Sequence, residues 1–182
     1  MQFFFVLLWQ KNKIMTILYL IRHGETVDNS NKIMQGQTQG ELNEKGINQA
    51  RMVSKNLTEE HFDAIISSDL KRSYDTASII AEPHFLTVVT TPLLRERDWG
   101  GFTGRYIPDL KDEPWPDDIE SLEMLKSRAS EFLDFVRTTF PDQKVLAVGH
   151  GIINKAIQSL FYDKPMNEIP KMDNAEVRIL HI

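Results

Sequence analysis

The chain of 182 residues contains no cysteine. That absence removes disulfides, thiolate zinc sites and cysteine nucleophiles, and it fits a reducing compartment, so a cytoplasmic protein is expected. Long hydrophobic runs are missing as well. Phe3 to Trp9 is apolar, but a membrane helix needs about 20 such residues. A secretory signal carries positive charge before its apolar run and small residues after it; here Lys11 and Lys13 follow the run and no small-residue cleavage site appears. Residues 1–14 are therefore expected to be an N-terminal extension outside the core, with a membrane-associating tail as the alternative, and the domain proper to open at about Met15. Charge of one sign is not concentrated anywhere: the net charge is −5, with acids and bases mixed along the chain. A nucleic-acid partner has no electrostatic support, whereas a small anionic substrate does not require a basic protein, only a locally positive pocket. Also absent are a Gly-x-Ser-x-Gly elbow, a Gly-x-x-x-x-Gly-Lys phosphate loop and a His-Glu-x-x-His metal motif. No metal, no cofactor and no membrane are expected.

What remains is an ordinary globular composition, 41% hydrophobic and 26% charged, in a chain long enough for one substantial core. Ile17 to Ile21 is a short unalternated apolar run, which suits a strand buried on both faces. A polar loop is expected through Glu41. Asn43 is a candidate N-cap for a helix bearing Ile47, Ala50, Val53 and Leu57 on one face. Phe62 to Ser67 reads as a second strand, and Asp69 as the cap of a helix with Leu70, Tyr74, Ala77 and Ile80/Ala81 inward. Leu86 to Thr90 is a third strand closed by Pro92, and residues 98–118 an irregular short cap. A long helix is expected from Asp117/Asp118, with Leu122, Leu125, Ala129, Phe132/Leu133, Val136 and Phe140 on its inner face. Val145 to Val148 is a fourth strand, Ile153 to Leu160 a helix, and Val177 to Ile182 a last strand. Strands alternating with amphipathic helices predict a three-layer α/β/α sandwich with a mostly parallel central sheet, in one domain over 15–182.

Two histidines occupy matching positions: His23 just past the first strand, His150 just past the fourth, each followed by glycine. Parallel sheets bind ligands beyond the carboxyl ends of their strands. Gly24 and Gly151 permit a tight turn and close backbone approach. Arg22 adds a planar fork of donors suited to phosphate oxygens. Arg72 falls in the first turn of a helix that also follows a strand, although spacing alone favours a solvated surface arginine. Glu96 is mute by itself.

Read together, these pieces resemble the histidine phosphatase superfamily, with its phosphoglycerate-mutase-like fold, over nearly everything from Met15 onward. The resemblance rests on Arg22-His23-Gly24-Glu25-Thr26 with Asn29, Gln35-Gly36, Leu42 with Gly46 and Gln49-Ala50, and Ser67-Ser68-Asp69-Leu70-Lys71-Arg72 with Thr76-Ala77. It continues through Leu94-Arg95-Glu96 with Gly100 and Gly104, Val148-Gly149-His150-Gly151, and Asn174. It implies that His23 is a nucleophile that becomes phosphohistidine, and that Arg22, Arg72 and His150 surround the transferring phosphoryl group. Glu96 would be the general acid, and Asn29, Gln35 and Gly151 would contact a small phosphorylated substrate. Such chemistry needs no metal, because positioned positive donors stabilise the charge on the phosphoryl oxygens. His23 must then be unprotonated on the attacking nitrogen, so its other nitrogen should donate to a fixed acceptor, most simply a backbone carbonyl.

Three stretches depart from the family pattern: Gln39-Gly40-Glu41-Leu42-Asn43, Phe102-Thr103-Gly104, and Ile152 where a second glycine is usual. Each bears on substrate contacts rather than on the catalytic set. Ile152 is expected to narrow the pocket floor, and Trp99, Phe102, Tyr106 and Trp115 either to stand at its mouth or to serve as packing anchors. The expected activity is a metal-independent phosphomonoesterase. A phosphoglycerate-mutase-type phosphotransferase and a non-catalytic phospholigand-binding protein are the alternatives. The short stretch from Asp98 to Asp118 argues for water access and hydrolysis. From the residues alone, metal-assisted hydrolysis by His23, His150 and carboxylates stays open, though the arginines would repel a cation.

Overall fold

The structure, a computed structural model, describes residues 15–182, so the expected extension and its apolar run lie outside the described residues. Strands β1 (Ile17–Arg22), β2 (Ala64–Ser68), β3 (Val88–Thr91), β4 (Lys144–Gly149) and β5 (Val177–His181) form one sheet in the order β3-β2-β4-β1-β5. All neighbours run parallel except β5, which pairs antiparallel with β1 at the edge.

The unalternated strand sequences follow from burial on both sides. Leu18 and Leu20 of β1, with Ile66, Val145 and Ala147, face a cluster completed by α4 (Leu122–Thr139) and α5 (Gly151–Tyr162). Tyr19 and Ile21, with Ile65, Leu146 and Val148, face the opposite cluster, completed by Val53 of α2 (Glu44–Leu57) and Ala77, Ile80 and Ala81 of α3 (Lys71–Ala81). The expected three layers are therefore present. Each fully buried aliphatic side chain contributes about 1.5–3 kcal/mol of transfer free energy, and both clusters hold many. No helix among the described residues is long and apolar enough to cross a membrane.

Several element boundaries differ from the sequence expectation. The polar loop after β1 contains a one-turn helix, α1 (Val27–Ser30), closed by a capping box between Thr26 and Asn29. Asp69 does not cap α3: Leu70 occupies that position, and Asp69 instead takes Nε of Arg95 on its Oδ1 at 2.7 Å. Tyr74 is exposed rather than inward. The long helix begins at Leu122, not Asp117/Asp118. Ser121 caps it by accepting from the Met124 amide at 3.1 Å, while Asp118 turns back to accept from the Gly101 amide. Leu122, at that helix start, and Leu160, on α5, are exposed rather than inward. Residues 98–118 are irregular as expected, held by 3-10 turns at Gly100–Phe102 and Ile107–Leu110 and by a bridge from Tyr106 to Ile33.

Candidate active site

β1 and β4 are neighbours, with Arg22 opposite Gly149 in register. The residue after each is a histidine, so adjacent strand ends bring His23 and His150 together, ring centroids 5.0 Å apart and tilted by 60°. Both are buried. The first histidine is fixed through its backbone and its ring. The His23 amide donates to the Gly149 carbonyl at 3.0 Å, its carbonyl accepts from Asn174 Nδ2 at 3.1 Å, and Nδ1 lies 2.7 Å from the Gly24 carbonyl. That carbonyl can only accept, so Nδ1 carries the proton. On the other side, Arg72 Nε donates toward His23 Nε2 at 3.3 Å. Because arginine has no acceptor, Nε2 must present its lone pair. The tautomer required by the sequence argument is the one the surroundings impose.

Arg72 is the largest correction to the residue-level reading. It is 1% exposed, not a surface side chain. Its fork donates to the carbonyls of Gly36 (2.8 Å) and Thr38, which wraps the 35–40 loop around it. Burial lowers its pKa to about 10, opposed by the charges of Glu96 and Asp28, so it remains cationic at neutral pH. Arg22 donates through Nη1 to Met172 O at 2.8 Å, and its buried Nε has no partner among the described residues. Both histidines are held well below the ordinary imidazole range, first by burial and then by the neighbouring Arg72 and, further down, Arg22. Both ring nitrogens of His150 are buried without a partner among the described residues. Unpaired polar atoms are costly inside a protein, and those of His150 lie beside the His23 ring.

Glu96 stands on the amino end of α5. Ile152 and Ile153 donate their amides to its carboxylate at 3.1–3.3 Å, and the Arg97 amide adds a third donor at 2.8 Å. Asn29 Oδ1 accepts from Thr26 N and from Asn174 Nδ2. Gln35 is buried with its Oε1 unpaired among the described residues. The two glycines differ in purpose. A side chain on Gly24 would meet the Gly46 carbonyl at 2.5 Å, so close approach of α2 requires glycine there, whereas one on Gly151 would meet only ordinary contacts beyond 3.5 Å.

A cavity of about 300 Å³ collects Arg22, His23, Asn29, Gln35, Arg72, Glu96 and Gly151 on its walls. His150 packs beside His23 and is not on that wall. Ile152 lines the cavity, as its replacement of glycine suggested, and Trp99 does so at the rim. The other aromatic residues do not: Phe102 is buried, Tyr106 bridges to Ile33, and Trp115 packs over Arg97, whose Cζ lies 5.1 Å from its ring centroid. Sequence reasoning missed the apolar wall of Ile33, Met34 and Ile107 and two cations, Lys155 and Lys171. Lys155 had a signal, since it lies one turn beyond Gly151 on α5. Among the described residues no three histidine, cysteine or carboxylate side chains gather as a metal site.

A largely parallel α/β sandwich with two histidines on adjacent strand ends, beside a cavity walled by one buried arginine, one half-buried arginine and a carboxylate, defines a protein of the histidine phosphatase fold. The model of the histidine phosphatase superfamily (branch 1) matches residues 18–182, and the chain belongs to that family. A probable phosphoglycerate mutase GpmB of Yersinia pestis is 37% identical over 149 residues, covering 74% of this chain and 69% of that protein. A mycobacterial glucosyl-3-phosphoglycerate phosphatase solved with VO3 superposes with a TM-score of 0.83 at 28% identity, covering 90% of both chains. Bacillus stearothermophilus YhfR gives 0.83 at 30% identity, also over 90% of both.

Proposed function

We propose that the protein is a phosphatase that hydrolyses a small phosphorylated metabolite through a phosphohistidine on His23, without a metal. One observation carries this reading: His23 keeps its proton on Nδ1, against Gly24 O, and aims an unprotonated Nε2 into a cationic pocket. Nε2 attacks phosphorus as the ester P–O bond breaks, and Glu96 gives its proton to the departing alkoxide. Arg22 and Arg72 neutralise the phosphoryl oxygens as charge spreads over them, and His150, an uncharged imidazole beside His23, offers a hydrogen bond to the same group. Water then attacks phosphorus, Glu96 recovers a proton from it, the P–N bond breaks, and inorganic phosphate leaves. Asn29, Gln35 and Gly151 border the bound substrate. The short 98–118 cap, which leaves water access to His23, supports hydrolysis over transfer to a second substrate, and the lack of cysteine supports a cytoplasmic setting.

The test is release of inorganic phosphate from p-nitrophenyl phosphate in the presence of a chelator. Activity is expected to persist, and acid-labile phosphorylation of the protein to vanish in His23→Ala. Strict dependence on an added metal would overturn the mechanism; binding of phosphate without turnover would overturn the activity. The likeness to a probable phosphoglycerate mutase keeps one rival in view. A mutase would interconvert 2- and 3-phosphoglycerate faster than it releases phosphate, and hydrolysis is expected to dominate.

A further inference from the structure

The segment bearing Glu96 has no regular structure of its own, because one 3-10 turn ends at Leu94 and the next begins at Gly100. Its carbonyls must find donors elsewhere; Gln37 Nε2 donates to the Glu96 carbonyl at 3.2 Å, and one guanidinium reaches three carbonyls of this stretch. Arg128, on α4, donates through Nη1 to the carbonyls of Leu93 (2.9 Å) and Arg95 (2.7 Å), and its Nη2 reaches the Glu96 carbonyl at 3.4 Å. The same guanidinium grips Glu120, with Nε 3.1 Å from Oε1 and Nη2 2.8 Å from Oε2. Glu120 in turn holds the far side of the segment. Its carbonyl accepts from Arg97 Nε at 2.8 Å, its Oε2 from the Asp98 amide at 3.2 Å, and its amide donates to the Asp98 carbonyl at 3.0 Å. Backbone on both sides of Glu96 is thus tied to one ion pair, whose side chains are only 17% and 9% exposed.

Stability alone does not call for such a pair, since well-packed apolar side chains serve at least as well in many buried sites. What an apolar pair cannot do is direct three carbonyls and an amide at once. Neither Arg128 nor Glu120 borders the cavity. We propose that Arg128 and Glu120 are positioning residues, which set the reach of the Glu96 carboxylate toward the leaving oxygen. This rests on the reading of Glu96 as the general acid.

Arg128→Lys separates clamp from charge, because an ammonium still faces Glu120 but cannot fork across three carbonyls. Two esters are compared by kcat/KM, which isolates expulsion of the alcohol: glycerol 1-phosphate, which needs a proton on its leaving oxygen, and p-nitrophenyl phosphate, which does not. General acid catalysis is worth about 10²–10⁴-fold, so partial misplacement is expected to slow glycerol 1-phosphate roughly 30-fold and p-nitrophenyl phosphate less than about threefold. In a Glu96→Gln background the added loss from Arg128→Lys should shrink to about twofold, as for two groups acting as one unit. Equal slowing of both esters, or full additivity with Glu96→Gln, overturns the positioning role. If Arg128→Lys does not fold, Glu120→Gln, nearly isosteric, takes its place with the same outcomes. If Glu96→Gln leaves both esters unaffected, the acid assignment itself falls and this proposal with it. A selective Glu96→Gln beside an unselective Arg128→Lys sinks the positioning role alone.

Discussion

At the scale of residues, the site works by contrast between two kinds of cation. Arg72 is buried and Arg22 half-buried, and both are tied to carbonyls, so their charge is fixed in place around His23. Lys171, exposed, and Lys155, half-buried, border the same cavity, and the lysine ion pairs of the described residues belong to Lys45, Lys71 and Lys144 instead. Two solvated ammonium groups attract an anion without orienting it. Exposed charges of this kind contribute about 0.2–1 kcal/mol each, so the Lys155→Ala/Lys171→Ala double variant is expected to raise KM for p-nitrophenyl phosphate roughly fivefold. Its kcat should stay within about twofold, and steady-state kinetics at low and high salt check this, with the difference shrinking as salt rises. A collapse of kcat would place a lysine in the chemistry. The lysines escape a reading of the sequence because a lone lysine, on a helix (Lys155) or in a loop (Lys171), is ordinarily a solvated surface group; only the fold brings these two to a cavity.

At the scale of elements, local chemistry decides where helices begin. Asn43 accepts from the Gly46 amide at 2.8 Å and also donates to Glu25 Oε1 at 2.9 Å, so one side chain caps α2 and braces the loop after His23. Loss of a cap costs about 1 kcal/mol. Asn43→Ala is expected to lower the thermal midpoint by about 2–4 °C, and Asn43→Ser, which keeps a capping acceptor without setting a second carboxylate beside Glu25, to recover part of that in a melting series. An unchanged midpoint in Asn43→Ala would show that the cap carries no stability. Asn43 was legible because an N-cap acts through bonds three residues away. Asp69 looked like an equally good cap and Asp118 like a helix start, but each found a distant partner, Arg95 and the Gly101 amide, and the helices start after them. Short-range signals fail where a long-range partner competes for the same oxygen. Tyr74 and Leu122 were misplaced for the related reason that periodicity marks a face but not how far the neighbouring layer covers it.

For the whole molecule, burying two neutral histidines between arginines makes stability depend on pH. Their folded pKa values lie well below 6.5, so the unfolded chain binds more protons than the native one as pH falls below that value. Stability is therefore full above pH 6.5 and declines on acidification, each histidine contributing a slope of up to about 1.4 kcal/mol per pH unit. Denaturation midpoints are expected to fall between pH 6.5 and 5, and the slope to flatten in His23→Asn/His150→Asn. A slope unchanged by that double substitution would place the acid sensitivity elsewhere.

The sequence by itself determined the layered architecture, because an unalternated apolar strand has no alternative to burial on both faces. It also determined which residue types could serve phosphoryl transfer. Tertiary structure alone decided the rest. Parallel pairing of β1 with β4 places His23 beside His150 across 127 residues of chain. Packing of α3 against the 35–40 loop turns Arg72 from a surface candidate into a buried donor on His23. The segment carrying Glu96 is set by Arg128 and Glu120, more than twenty residues away. Those contacts join groups distant along the chain, and hydrogen bonds of that reach leave no periodicity to read.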